Sequence, residues 1–297
     1  MKQIFRIFSF INDHPLASKN KWAAYKRFLN WQMKQLVSPG DRVCTLVEDS
    51  VLLISKGMAG ATGNIYCGLL EFEDMAFVLH LLRPGDMMGD IGANVGVYTI
   101  LAAKNTGARV IALEPGLDAF QRLELNVNLN QVKEQALILN WGASSAEGEL
   151  LFTQKMDAVN HVALGDEAKT QQDIIKIKVK TLDEVFIKEE PLLLKIDVEG
   201  YEHEVIIGAK RLLASNSLLA IIIELNGSGI RYGVEDSIIH EEILSYGFLP
   251  YRYDPFSREL HLLHTPGHLN TLYLRNVDSL AQRLMSSRKF NVIGHAI

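Results

Sequence analysis

Cysteine is nearly missing from this chain. Only Cys44 and Cys67 occur in 297 residues, with no CxxC pair, which excludes a disulfide framework and a cysteine-rich zinc site. Long apolar runs are missing too. The longest, residues 218–223, falls far short of the roughly 18 residues a membrane helix needs, so no transmembrane segment is expected. Near the amino terminus Arg6 interrupts a short apolar stretch and no small-residue cleavage pattern follows, so a cytoplasmic protein is expected rather than a secreted one. Internal repeats are absent. The rest is ordinary: hydrophobic residues make up 48% and charged residues 22%, enough for a substantial core and incompatible with a collagen-like or wholly disordered chain.

Charge is unevenly placed. Residues 1–45 hold eight Lys/Arg against Asp13 and Asp41, a balance of +6, so the remainder carries 22 basic and 33 acidic residues, or −11. An acidic main body suits phosphate backbones poorly, and nucleic acid is not expected as a partner. The basic front end reads first as a solvated helix face. A membrane surface, an anionic partner or a second subunit is the sharper alternative.

The first 37 residues read as helical, above all 16–37. There Trp22, Tyr25, Phe28 or Leu29, Met33 and Leu36 recur every three to four residues, an apolar stripe expected to pack inward with lysines opposite. Ser38-Pro39-Gly40-Asp41 stops it. Runs 42–47 and 51–55 suggest a hairpin, 57–63 a loop and 71–82 a second amphipathic helix. Beyond Arg83-Pro84-Gly85-Asp86, short apolar strands (87–91, 109–113, 136–140, 192–196, 218–224) alternate with helices (95–104, 117–130, 201–213), the pattern of a doubly wound parallel α/β sheet. Residues 148–180 break that rhythm as an inserted strand pair with one wet face. A helix near 235–246 and strands at 248–253, 260–263 and 271–274 close the chain. Residues 1–64 are thus expected to form a helix-and-hairpin extension, serving as a cap or an oligomer contact, and 65–297 the main domain.

The chemistry concentrates at Asp90-Ile91-Gly92-Ala93-Asn94-Val95-Gly96, between one strand and the next helix. Gly92 and Gly96 permit a tight turn with close approach to the main chain, and the helix start is expected to offer free amides to a polar group. Asn94 and Val97 stand where a G-x-G-x-x-G dinucleotide fingerprint needs glycine. The turn also opens on a carboxylate, Asp90, which repels a pyrophosphate and attracts a sulfonium or an amine. Further on, Glu114 ends the next strand, placed to accept both hydroxyls of a ribose, with capping of the helix begun by Pro115 the blander alternative.

A second constellation, Lys195-Ile196-Asp197-Val198-Glu199-Gly200-Tyr201-Glu202, closes the fourth strand. Alternation sends Lys195, Asp197 and Glu199 to one side, at the carboxyl edge where ligands of open α/β sheets lie. An ion-pair cluster would look the same. Glu224 then ends a fully apolar strand, and a carboxylate delivered there must be bonded or functional. Asp197, Glu224 and Asn226 could form an all-oxygen set for a divalent metal, a possibility not favoured. His261, His264 and His268 are separated by a strand and a Pro266-Gly267 turn, and are assigned to surface and turn roles rather than to zinc.

Taken in order, DIGANVGVYT (90–99), Glu114-Pro115, Asn126 to Asn130, Thr181-Leu182-Asp183, KIDVEGYE (195–202), Gly208-Ala209 and IIIE (221–224) resemble the FkbM-type methyltransferases, which use S-adenosylmethionine. The resemblance covers roughly residues 65–275. It implies the Rossmann-like, seven-stranded class I methyltransferase sandwich with its last strand antiparallel. It also implies that Asp90, Gly92, Ala93, Asn94 and Gly96 surround the methionine part of the cofactor, with Glu71 a weaker match. Glu114, beside Pro115, would hold the ribose, and Asp197 would lie near the transferable methyl. Gly89 stands where an aliphatic residue is usual, and Ser145 where related enzymes often carry an acid near the adenine.

The expected reaction is O-methylation of a hydroxyl on a sugar, a polyketide or a related small molecule. Asp197 is the first candidate to orient or deprotonate that hydroxyl, Glu224 the second, with Glu199 and His203 behind. Two other readings remain: a nicotinamide-dependent oxidoreductase, which the first βαβ unit alone would permit, and a non-catalytic scaffold retaining the fold. The amino-terminal helix could also join two copies of the chain.

Overall fold

The computed structural model describes residues 2–154, 160–165, 167, 173–267 and 269–297. Two helices open the chain, α1 (Lys2–Asp13) and α2 (Lys21–Val37). The expected hairpin follows as β1 (Arg42–Thr45) and β2 (Val51–Ile54), paired antiparallel. Helix α2 begins at Asn20, whose side chain accepts the Ala23 amide, an N-cap that satisfies one orphan donor.

Its phase differs from expectation. The buried residues of α2 are Ala24, Phe28, Trp31 and Gln35, whereas Trp22 is 85% exposed, Met33 64% and Leu36 82%. Both sets recur at helical spacing, so periodicity alone cannot rank them. Tertiary partners do: Phe28 packs edge-on against Tyr66 at 5.1 Å and Phe8 at 5.8 Å between ring centroids.

Tyr66 belongs to α3 (Ala59–Cys67), a helix where a loop was expected. Gly60 and Gly63 lower the intrinsic propensity there, but packing overrides it. A side chain at Gly63 would meet Leu70 at 2.3 Å, and the Arg27 guanidinium donates twice to the Tyr66 carbonyl near the helix end.

Helix α4 (Phe72–Leu81) then leads into the main sheet. Strands β3 (Met87–Ile91), β4 (Arg109–Leu113) and β5 (Ala136–Leu139) run parallel, separated by α5 (Val97–Ile100), which widens into a π-helix over Leu101–Thr106, and by α6 (Leu117–Leu129). The insertion is a three-stranded sheet of β6 (Gly142–Ala143), β7 (Gly148–Thr153) and β8 (Ile174–Lys180), with β7 and β8 the expected antiparallel pair. Residues 155–159, 166 and 168–172 of the insertion lie outside the described residues.

After α7 (Leu182–Val185), parallel strand β9 (Leu193–Ile196) pairs with β3. The long helix expected over 201–213 is two, α8 (Glu202–Ile207) and α9 (Lys210–Ala214). They part at Gly208, where any Cβ would fall 2.1 Å from the Ser144 carbonyl oxygen. Then come β10 (Ala220–Glu224), α10 (Asp236–Ser245), β11 (Leu249–Asp254), β12 (Glu259–Leu262), β13 (Asn270–Leu274) and α11 (Val277–Met285). A small hairpin, Asn291–Val292 with His295–Ala296, ends the chain.

The order β12-β11-β13-β10-β9-β3-β4-β5 gives eight strands rather than seven. The additional one is β12, which folds back antiparallel on β11 through a turn with Arg258 at φ 62°. Antiparallel β13 sits between β10 and β11. Each central strand is buried on both faces. In β10, Ala220 and Ile222 join the core on one side, Ile221 and Ile223 the core on the other. The amino-terminal elements share the first of these cores, since Ile11, Leu16, Phe28, Trp31, Leu52 and Ile54 cluster with Phe77, Met88 and Val110. Gly89 has a steric reason: a Cβ there would meet Leu194 at 2.5 Å and Phe186 at 2.7 Å. No described helix is long and apolar enough to cross a membrane.

Candidate active site

The turn leaving β3 is shaped by close contact with β9. Gly92 has φ +80°, and a Cβ on it would lie 1.8 Å from the Asp197 carbonyl oxygen, so only glycine fits. Asn94 (φ 49°) and Gly96 (φ +88°) are left-handed as well. The turn's own amides are taken. Gly92 and Ala93 both donate to the Leu113 carbonyl at 2.9 Å, Gly96 donates to the Ala93 carbonyl at 2.8 Å, and Asn94 donates to Glu114 Oε2 at 2.8 Å. The turn therefore holds itself and presents side-chain carboxylates, rather than amides, to the space above the sheet.

That space is a cavity lined by Glu71, Asp90, Gly92, Ala93, Asn94, Glu114, Pro115, Asp197 and Glu199, with Leu113, Phe152, Val162 and Ile177 as an apolar wall. The candidate residues distant in sequence thus meet. Gly96 does not face this space; a Cβ there would strike Leu123 at 2.4 Å, which makes it a packing glycine under α6. Glu224 is not among the lining residues but stands beside Asp197 and Glu199, which are.

Two buried acids, Asp90 and Glu114, and the half-buried Glu71 line one side. Asp90 accepts a bond from the Thr99 hydroxyl at 2.6 Å, and burial pushes its pKa up to about 6. Glu114 accepts the Asn94 amide with one oxygen and the Gly116 amide at 2.7 Å with the other, so it braces the start of α6 and lines the cavity at once. Its pKa is raised to about 7 by burial, against the pull of those two bonds. Glu71 accepts the Tyr98 hydroxyl at 2.7 Å and the Asn270 side-chain amide at 3.0 Å. Asn270 donates also to Asp74 at 3.0 Å, where burial and then Glu71 raise the pKa to about 7.

Opposite stands the cluster from β9 and β10. Lys195 is buried and its ammonium lies 3.1 Å from Asp197 Oδ2. Burial works against its charge, but Asp197 and Glu71 more than offset that and its pKa is raised. Carboxylate oxygens of Asp197, Glu199 and Glu224 all lie within 4.8 Å of one another. Glu199, in a left-handed conformation after the strand has ended, is raised to about 7, first by burial and then by Asp197. Glu224 is raised to about 8 for the same two reasons, and its Oε2 is buried with no hydrogen-bond partner. Glu199 and Glu224, so close to each other and to Asp197, hold less than their full charge near neutral pH.

The oxygen set considered for a metal is not assembled as expected. Asn226 is exposed and accepts the Ser228 amide at 2.9 Å, while Glu199 takes its place beside Asp197 and Glu224. Lys195 already supplies a cation to that group. His203 faces α10, 3.5 Å from Glu242. His261 and His264 are exposed, and His268 lies outside the described residues.

Several residues escaped the sequence reading. Glu202 turns back to accept the Val198 and Gly200 amides at 3.0 and 3.2 Å, which fixes the loop carrying Glu199. Its four-residue reach over a Gly-containing turn is a capping pattern that could have been recognised. Tyr98 and Asn270 steady Glu71 from elements distant in sequence and had no such signal. Met58, Gly60 and Ala61, at the start of α3, also line the cavity. Beside Ser145 an acid is present after all, since its hydroxyl donates to Glu204 from α8.

Comparison with known proteins places the chain in a family. The profile of the Methyltransferase FkbM domain matches residues 90–250, more than half of the chain and the whole stretch from the glycine turn through β10. The chain belongs to the FkbM methyltransferase family. Among curated relatives, the chain is 31% identical over 159 residues to the hexuronic acid methyltransferase AglP of Haloferax volcanii, a match covering 52% of this chain and 62% of that one. It is 29% identical to the ribosomal protein L11 methyltransferase of Oceanobacillus iheyensis over 39% of this chain and 37% of that one. The match thus spans about three fifths of the first relative and little more than a third of the second. A solved FkbM methyltransferase from Methylobacillus flagellatus superposes with a TM-score of 0.44 at 18% identity, covering 73% of this chain and 53% of that one.

Proposed function

We propose that this methyltransferase uses S-adenosylmethionine to O-methylate a hydroxyl group on a sugar or a related small molecule. One observation carries the reading. Asp90, Glu114 and Asp197, with Glu71 and Glu199, converge on one cavity, and burial holds Asp90, Glu114 and Glu199 partly protonated near neutral pH. Such a site loses energy by standing empty and gains by receiving a cation. S-adenosylmethionine fits it, with two positive groups for the acids, a ribose for Glu114 and an adenine for the apolar wall of Phe152, Val162 and Ile177. The nicotinamide alternative loses its support, because the turn amides that would hold a pyrophosphate are already bonded within the protein.

When bound, the cofactor supplies an electrophilic methyl group on sulfur. The protein's part is to align an acceptor oxygen with it and remove a proton. Asp197, fixed by Lys195 and partly open to the cavity, orients the hydroxyl and accepts its proton as the oxygen–carbon bond forms and the carbon–sulfur bond breaks. Glu199, raised to about 7 and so partly ionised at neutral pH, takes up that proton within the cluster, whereas Glu224, raised to about 8, is mostly protonated there already. A sugar acceptor follows from the likeness to a hexuronic acid methyltransferase.

The test is a radiolabelled methyl-transfer assay against hexoses, hexuronic acids and glycosides, with calorimetry alongside. Asp197→Asn should lose turnover while still binding S-adenosylmethionine. A fully active variant would refute the role of Asp197. Binding of NAD in place of S-adenosylmethionine would overturn the reading as a whole.

A further inference from the structure

Helix α2 carries a second apolar stripe that covers nothing. Trp22, Leu29, Met33 and Leu36 are 85%, 53%, 64% and 82% exposed. At 100° per residue these four fall within an arc of about 60°, roughly opposite the inward face made by Ala24, Phe28, Trp31 and Gln35. Val37, next to the stripe at the end of α2, is 83% exposed. An unbroken apolar strip on the surface of a folded domain marks an interaction site.

Charge selects the partner. Lys21, Lys26 and Lys34 are exposed along α2, and among the described residues no ion pair reaches them. Helix α2 contains no Asp or Glu at all. Two copies of this helix packed about a twofold axis would therefore set lysines against lysines, with no carboxylate to relieve them. A surface that is apolar beneath and anionic above satisfies both features. The tryptophan, leucines and methionine would sink to the level of the acyl chains while the lysine stems reach outward to the headgroups. The body of the protein, with its charge of −11 beyond residue 45, would be held away from such a surface.

We infer that the outer face of α2 docks this protein on an anionic lipid surface, lying in the interface without crossing it. The docked face is one helix from the cavity. Arg27 and Phe28 join α2 to Tyr66 of α3, and Gly60 and Ala61 at the other end of α3 line the cavity. This inference does not depend on the identity of the methyl donor or acceptor.

The experiment is co-sedimentation of the full chain with vesicles of phosphatidylcholine alone or mixed with phosphatidylglycerol, together with light scattering in solution. The protein should pellet with the anionic vesicles, remain in the supernatant with the neutral ones and be released by high salt. A K21Q/K26Q/K34Q variant should partition about a hundredfold more weakly, at roughly a fivefold loss for each lysine. A W22S/L29S/M33S/L36S variant should fail to pellet while keeping its melting temperature. Because the lysines are fully solvated, the triple glutamine variant tests the charge even if the serine variant folds poorly. Equal pelleting with neutral vesicles, no pelleting with anionic ones, or a stable dimer that the serine substitutions split would each overturn the inference, the last in favour of a second copy.

Discussion

The cavity and the outer face of α2 invert the usual partition of side chains. Around the cavity, Asp90, Glu114 and Lys195 are buried; on α2, a tryptophan, two leucines and a methionine face water. Stability alone would choose neither. Burying a carboxylate costs several kcal/mol unless bonds or a counter-charge offset it, and each large apolar side chain left in water forgoes about 1.5–3 kcal/mol of burial. The two departures differ in how they are held. The buried acids are pinned by backbone amides, hydroxyls and Lys195, whereas the exposed stripe rests on nothing. A pinned departure prepares a fixed site for a small ligand. An unpinned one suits a partner that brings its own surface.

The comparison can be broken most severely at Asp197. Replacing it with Asn should cut turnover about 100- to 10,000-fold, with the fold intact by circular dichroism; a modest loss would remove it from the chemistry. Next in size is the buried stripe of α2. Phe28→Ala should cost about 3–5 kcal/mol in denaturant unfolding, while Leu29→Ala, one residue along, should stay within about 0.5 kcal/mol. Equal effects would mean that the two faces of α2 are not distinct. Gly92→Ala should cost roughly 2–4 kcal/mol through its forced contact with the Asp197 carbonyl, and calorimetry should show S-adenosylmethionine binding lost with it.

Glu114→Gln keeps the shape but removes the charged acceptor. A loss of about 1.5–3 kcal/mol in cofactor binding, tenfold to a hundredfold in Kd, is expected. The smallest effect is a matter of protons. Asp90, Glu114 and Glu199 have pKa values raised to about 6, 7 and 7. In the unliganded protein such groups bind protons more tightly folded than unfolded, so their contribution to stability is present at low pH and is lost as pH rises through these values. A bound cation reverses this by favouring the ionised forms. Binding at pH near 7 should therefore release protons, and affinity should climb between about pH 6 and pH 8. Calorimetry in buffers of different ionisation heat measures the release, and S-adenosylhomocysteine, without the sulfonium charge, should release fewer. An affinity independent of pH would mean that the acids do not meet the cofactor.

Much of the centre was legible before any coordinates. The strands at 87–91 and 109–113 are found where expected, because short, mostly apolar runs bounded by turn residues have few alternatives. The glycines of the first turn and the acids at strand ends could be placed for the same reason, since strand direction carries them to one edge. The failures share a cause. The α2 stripe and the helix α3 in place of a loop both concern what a segment packs against. Local pattern offered two equivalent faces on α2, and only Tyr66 and Phe8 decided between them. At the glycine turn the amides are taken by Leu113 and Glu114, partners twenty residues away whose approach a motif does not encode.

By itself the sequence determined the doubly wound sheet, the edge at which its acids gather and a chain with a basic front and an acidic body. These follow from periodicity, from the conformational demands of glycine and from counting charges, all local properties. The tertiary structure alone decided which acids are buried enough to hold protons near neutral pH, and which apolar face of α2 stays in water. Both depend on desolvation, and how far a group is removed from water is set by neighbours that the fold brings together from distant parts of the chain.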